Sequence, residues 1–310
     1  MATSTTNLSL QGNPDLMRKN LLMAKKLYEE KARRKNYMTL SGRKISSNQL
    51  NEVIAMASGL DLPQVTPEFG AIQTSDMEQV ARKVYTPQKR TLQFRVSDEA
   101  FINDQYGIIK SYGTLLASVF DQAREIAASV YMNGALDTSI ISTPQGKPLA
   151  ATDHPLASGT DSNTFAGVQQ TLGPIALEEA INQLMSQKAH KGYAAPKYGP
   201  FQLEVAPRNN FLARRIVGAV NQAGGNSNDP NALRDDVTKI VVVPQFTNPE
   251  WWCLRSIAEE EQPRFMLQRY AFKVMPIVYD EDVDAWKITA KESYLFDVND
   301  YRGTFYSTPS

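Results

Sequence analysis

One cysteine, Cys253, and two histidines, His154 and His190, are all that this chain of 310 residues offers for thiol or imidazole chemistry. A lone thiol cannot close an intramolecular disulfide, so a reducing compartment is the simpler expectation. The three residues fall in three different predicted elements, short of the four ligands at recognisable spacing that a closed zinc site needs. An excess of one charge is also missing, because 33 Lys and Arg meet 33 Asp and Glu. That balance removes the general electrostatic attraction expected of a nucleic-acid-binding module or a protein of anionic membrane surfaces. No apolar run approaches bilayer length, and the opening MATSTTNLSLQGNPDL has no basic residue followed by an apolar core, so neither secretion nor membrane insertion is expected. Gly224 and Gly225 precede a polar NSNDP loop rather than a helix entered from a strand, which fails both phosphate-binding fingerprints. No cofactor is predicted.

What is present is a globular composition, 42% hydrophobic and 21% charged, enough for one or two packed domains. The charge balance conceals an asymmetry. The first 44 residues hold ten cations against three acids, a net +7 that leaves −7 for the remainder. Asn13 and Pro14 suit the cap and first position of a helix. Met17, Leu21, Ala24 and Tyr28 then form an apolar stripe opposite the lysines and arginines. This amphipathic basic arm either packs on its own core or lies on a neighbouring subunit.

Residues 61–95 read as extended pieces broken by Pro63, Pro67, Gly70 and Pro87, with clean alternation from Thr91 to Val96. A long two-stranded excursion is predicted, its second limb carrying Arg82, Lys83, Lys89, Arg90 and Arg95. A solitary hairpin is marginal in water unless another surface covers it. These five cations are therefore candidate intersubunit contacts, with Glu259, Glu260 and Glu261 as the acidic cluster that could receive them.

A long helix is predicted over residues 105–133, where Ile108, Tyr112, Leu115, Val119, Ala123, Ile126 and Val130 repeat at helical spacing and Gly134 ends the run. A second flank of Ile109, Leu116, Phe120, Ala127 and Tyr131 widens the apolar face. Residues 136–173 read as a long surface loop. Within it Asp153 and His154 invite a hydrolase reading, but no G-x-S-x-G elbow accompanies them and Pro155 stiffens the backbone, so a structural turn is the better expectation. Beyond Gly173 helices alternate with strands, including a wholly apolar strand at residues 240–243, and describe an α/β lobe. The C-terminal strands are expected to return to the long helix. Asp280, Asp282 and Asp284 begin like a calcium loop, yet Ala285 replaces the turn glycine and Lys291 the bidentate glutamate, so no metal site is predicted.

Three stretches, ATDHPLASGTDSN from Ala151, IVVVPQFTNPEWW from Ile240 and YRGTFYS from Tyr301, resemble the major head subunit of Mu-like tailed bacteriophages and prophages. The resemblance implies an α+β chain of the Hong Kong 97-type capsid fold: an N-terminal arm (1–60), an extended hairpin loop (61–100), a peripheral domain with a spine helix and connecting loop (101–173), an axial α/β domain (174–262) and return strands completing the peripheral domain (263–310). It implies no enzyme. It implies instead a homo-oligomer of hexameric and pentameric capsomers enclosing double-stranded DNA, with portal, scaffold and decoration proteins as partners, assembled in the host cytoplasm and resident in the virion. An encapsulin-like compartment shell stands as the alternative from the same fold.

Overall fold

The computed structural model describes residues 36–97, 99–100, 108–220, 231–258, 262–276 and 278–309. The apolar stripe proposed for the basic arm, the beginning of the predicted long helix at 105–107, and Glu259, Glu260 and Glu261 lie outside the described residues.

Helix α1 (Asn36–Ser41) is followed by Gly42 at φ +72°. A Cβ there would meet Arg264 O at 3.2 Å, so glycine suits both the turn and the close approach of strand β1 (Arg43–Ser46) to the backbone beyond it. Strands β2 (Glu52–Ala57) and β3 (Gln79–Tyr85) form an antiparallel hairpin from Glu52↔Tyr85 to Ala57↔Gln79. The hairpin thus begins earlier in the chain than the sequence pattern suggests. Strand β4 (Gln88–Ser97) does not belong to it, because its alternating face is needed elsewhere.

Helix α2 (Ile108–Ala128) and the short α3 (Val130–Asn133) realise the long predicted helix, with an irregularity at Ser129, whose N–H is shared between Glu125 O and Ile126 O. Twenty-one residues give α2 a length of about 31 Å. The stripe chosen from spacing is the wrong face: Leu115 (58%), Val119 (43%) and Ile126 (57%) are exposed. The second flank is the buried one, with Leu116 and Phe120 packed on Phe272, Ile288 and Ala290 of the sheet beneath. Polar Asp121, Arg124 and Glu125 are buried on this same side, and Arg124 Nε donates to Glu292 at 2.9 Å.

The segment after α3 is not a surface loop. Leu149, Ala150, His154, Asn163 and Phe165 are buried, and its only strands are the two-residue β5 (His154–Pro155) and β6 (Thr160–Asp161). Helix α4 (Pro174–Met185) starts at the proline that marks it in sequence. Strand β7 (Phe201–Val205), a 3₁₀ turn, helix α5 (Asn210–Gly218), helix α6 (Leu233–Asp236), and strands β8 (Val237–Val242) and β9 (Trp252–Ser256) follow. The C-terminal part supplies β10 (Arg264–Val274), β11 (Val278–Asp280), β12 (Ala285–Val298) and β13 (Thr304–Ser307).

Two larger sheets result. In the first, β12 is the hub, antiparallel to β10, β11 and β4, while β1 adds in parallel to β10. In the second the order is β13-β9-β7-β8, with β7 and β8 parallel. Two details differ from the sequence pattern. Strands β7, β9 and β13 are buried throughout, whereas the apolar β8 is an edge strand with exposed positions. And β13 joins the second sheet by pairing with β9 instead of completing the first. One apolar core, including Tyr131, Cys253, Met266, Phe296 and Tyr306, spans the two sheets. A second, including Leu177, Ile181, Leu203, Ala213, Trp252 and Phe305, lies under α4 and α5.

Candidate interaction surfaces

The β2–β3 hairpin carries a long tip, residues 58–78, without strand structure. Its neck is tied by Ser58 N–H to Glu78 O at 2.9 Å and by Glu78 N–H to Ser58 Oγ at 3.1 Å. Further out, Asp61 N–H donates to Ser75 Oγ and that hydroxyl donates to the Asp61 carboxylate, each at 2.8 Å. Polar groups hold the excursion together and its apolar side chains face outward. Val65 and Phe69 are fully exposed and Ile72 is 87% exposed, with Leu60, Leu62 and Met77 beside them in sequence. A cluster of exposed apolar side chains on a protruding loop marks an interaction surface. Pattern reading missed it, because apolar residues between prolines have no period; their mere presence in a proline-broken stretch was the available signal.

The five candidate cations divide into two groups. Arg82 on β3 and Lys89 and Arg95 on β4 are exposed. Lys83 is engaged within its own chain, its Nζ donating at 2.7 Å to both Ser142 O and Asp297 Oδ1. Burial pushes the Asp297 carboxyl above its ordinary value, and Lys83 opposes that rise. The Arg90 guanidinium is half-buried and lies 4.8 Å from the Tyr294 ring centroid. Lys89, Arg90 and Arg95 all sit on β4, in the first sheet, and not on the hairpin.

Asp153 and His154 do not form a reactive pair. Asp153 is exposed and paired with Lys147, which holds its carboxyl below the ordinary value. His154 is buried, its ring stacked on Tyr301 at 3.8 Å and 3°. The Asn163 side chain fixes the tautomer: its Nδ2 donates to Leu149 O, so its Oδ1 must accept, taking both Ala151 N–H and the His154 Nε2–H at 3.0 Å. Burial keeps this imidazole's pKa below its ordinary value. Tyr301 in turn donates to Asp161 at 3.2 Å, joining the β5–β6 turn to the turn before β13. The arrangement is a structural joint.

A second polar cluster, invisible in sequence, lies between the sheets. Glu204 on β7 accepts from Gln202, from Arg255 Nε at 3.0 Å and from Arg264 Nη1. Arg264 also donates to Cys253 Sγ and Tyr306 Oη, and Arg255 to Thr39 O of α1. Burial pushes the Cys253 thiol up to about 12, so it is a protonated core group and not a nucleophile at neutral pH. Among the described residues no group of three or more His, Cys, Asp or Glu side chains could hold a metal ion, and no helix is long and apolar enough to cross a membrane.

A family model described as "Phage capsid protein" matches residues 79–307, from the first residue of β3 to the last of β13. No curated protein matches the chain. Among solved structures, one of Microbacterium phage Oxtober96 aligns at 12% identity and a TM-score of 0.55, over 88% of this chain and 90% of that one. A virus-like particle from Pyrococcus furiosus aligns at 11% identity and 0.54, over 94% and 98%. The capsid of a native GTA particle aligns at 8% identity and 0.56, over 88% and 90%.

Proposed function

The chain belongs to the phage capsid protein family, and we propose that within it this protein is the Mu-like major head subunit, building hexamers and pentamers of an icosahedral shell around packaged double-stranded DNA. It has the Hong Kong 97-type capsid fold and is a structural protein of the tailed-phage virion shell. The observation that carries the assembly reading is the hairpin tip. Val65, Phe69 and Ile72 expose apolar surface that the described residues leave uncovered, and in a shell of identical subunits a neighbour is available to cover it.

The finer reading extends to partners and place. Portal, scaffold and decoration proteins would meet the shell during assembly in the host cytoplasm, and no catalytic step is assigned to the chain. The exposed cations Arg82, Lys89 and Arg95 are proposed contacts to acidic surface on a neighbour, with Glu259, Glu260 and Glu261 as the candidate receivers. The deciding experiment is electron microscopy and light scattering of the purified protein across concentration and salt, with and without scaffold. Hollow polyhedral shells, tubes or capsomer rings are expected, and Phe69→Ser with Val65→Ser should suppress them while leaving the circular dichroism spectrum unchanged. A monomer under every condition, scaffold included, would overturn the reading.

A further inference from the structure

The start of α4, one side of α5 and the start of α6 enclose a cavity of about 270 Å³. Pro174, Leu212, Ile216, Ala219 and Leu233 line it, and Arg215 is the one charged side chain among its walls. The remaining polar wall, Asn231, is already bonded, its Nδ2 donating to Ile216 O at 2.6 Å and to Ala219 O at 3.1 Å. The residues adjoining Pro174, Leu212 and Ala219 in sequence, Ile175, Phe211 and Val220, are exposed and extend the apolar surface. Arg215 is exposed as well and has no ionic partner among the described residues. A dry apolar cavity of about 150 Å³ takes a benzene ring, and small-molecule pockets begin near about 300 Å³, so this one has the size for a single aromatic side chain.

The hairpin tip presents such a side chain. Pro67 to Gly70 form a tight turn closed by Gly70 N–H to Pro67 O at 2.8 Å, and a Cβ on Gly70 would lie 2.9 Å from that same oxygen, so glycine is required there. Phe69 stands at the corner of this turn with φ +62°, in the left-handed region that a bulky residue rarely occupies, and its ring is fully exposed. No contact among the described residues offsets that strain, and strain held at an exposed position points to a use outside the subunit. The acid Glu68 beside it is exposed too. Phe69 is not seated in the cavity of its own chain. The tip is instead tied at Asp61 to Lys191, 3.4 Å away, in the segment that leaves the far end of α4, and that 12-residue helix sets its far end about 18 Å from Pro174.

We propose that the Phe69 ring of one copy seats in the cavity between α4, α5 and α6 of the next, with Glu68 of the tip against Arg215 of the cavity wall. Val65 and Ile72 then meet the exposed Ile175, Phe211 and Val220, so that one buried aromatic anchor is ringed by apolar contacts that exclude water. The charge pair sets the approach and the register of the turn. Tip and cavity are different surfaces of one subunit, which makes the contact heterologous, and such a contact closes into a ring when the rotation permits. This deepens the shell reading above and rests on it, naming the surface of the neighbour that covers the hairpin tip.

Cross-linking and charge exchange test it in the full chain. Particles assembled from a mixture of Glu68→Cys chains and mass-tagged Arg215→Cys chains keep the Phe69 anchor, and a short bis-maleimide should join them into a dimer holding one chain of each kind, with Cys253 buried and out of reach. Glu68→Arg alone and Arg215→Glu alone should each raise the protein concentration needed for assembly by about threefold or more at low salt, with less effect at high salt. The two reversals in one chain should bring that concentration back, because the pair is again opposite in sign. Ala219→Phe, which fills the cavity from within, should raise it by about tenfold or more. Circular dichroism and the unfolding midpoint identify any loss of folding in Ala219→Phe, and the exposed Glu68 and Arg215 variants decide the matter without it. Absence of the mixed dimer from assembled particles, or an exchanged pair that assembles no better than the single reversals, overturns the cavity contact and leaves the shell reading standing. A parent chain that never assembles overturns both.

Discussion

Arg264 on β10 places Nη1 2.9 Å and 2.6 Å from the two carboxylate oxygens of Glu204 on β7, and both side chains are buried. The pair links the two sheets. With Arg255 also on Glu204, two guanidinium groups share one carboxylate, and the remaining donors reach Tyr306 Oη, Cys253 Sγ and Thr39 O. Proximity to Glu204 holds Arg264 charged in spite of its burial. Glu204→Gln keeps the size and removes the charge, leaving two guanidinium groups without a counter-ion. The expected loss is about 3–5 kcal/mol of unfolding free energy, read from urea denaturation. A loss below about 1 kcal/mol would mean that water reaches the cluster and screens it.

His154 predicts a pH dependence of defined sign. Burial lowers its folded pKa below the ordinary 6.5, against the opposing pull of the Asp300, Asp161 and Asp153 carboxylates. The unfolded chain therefore takes up the proton first, and stability rises with pH across the interval between the two values. The contribution is complete above about pH 6.5 and is lost as pH falls through the folded pKa. Urea midpoints should decline from about pH 7.5 to about pH 5 more steeply in the parent than in His154→Gln, in which His190 and the carboxylates still titrate. Equal slopes would remove His154 from the acid response.

The long helix shows how far sequence reading reaches. Its existence and its end at Gly134 were legible from spacing, but its orientation was not, because two adjacent apolar flanks competed. The buried side is the one carrying Asp121, Arg124 and Glu125, which a hydrophobicity pattern rejects, and it is buried because β12 brings Glu292 to Arg124. The same reason hid the Glu204 cluster: Phe201 to Val205 alternates like a half-exposed strand, yet arginines from β9 and β10 make burial of its glutamate tolerable. Ion partners distant in sequence leave no local period. By contrast Gly134 and the Gly42 turn act through local geometry, and the helix end at Gly134 was legible. The destination of β13 depends on which sheet has a free edge, which no window of sequence contains.

That helix assignment is testable by substitution. Phe120→Ala should cost about 3–5 kcal/mol, because its ring packs 5.1 Å from the Phe272 centroid in a closed core. Leu115→Ser, Val119→Ser and Ile126→Ser should each stay within about 0.5 kcal/mol of the parent in the dissociated subunit, since they are exposed there. Thermal or urea unfolding of the four single variants checks the contrast. Equal costs on both flanks would show that the helix is turned differently from the arrangement described.

Lys83 and Arg82 are neighbours on β3 with opposite commitments, and this divides the basic residues into two experiments. Lys83 is bonded to Asp297 and Ser142 O in its own chain, and Asp297 is largely buried, so Lys83→Glu sets two carboxylates against each other. Folding stability should fall by about 1–3 kcal/mol or more, with the Asp297 carboxyl driven further above its ordinary value. Arg82, Lys89 and Arg95 are exposed, and exposed ion pairs are typically worth less than about 1 kcal/mol, so reversing all three should leave the subunit folded. Across a repeated contact in a symmetric shell the same reversal recurs at every equivalent position, and assembly at low salt should fail or slow while high salt restores part of it. Circular dichroism separates the two effects from light scattering. A triple reversal that assembles at the parent rate in low salt would assign these three cations to solvent and leave the hairpin's contact to Val65, Phe69 and Ile72.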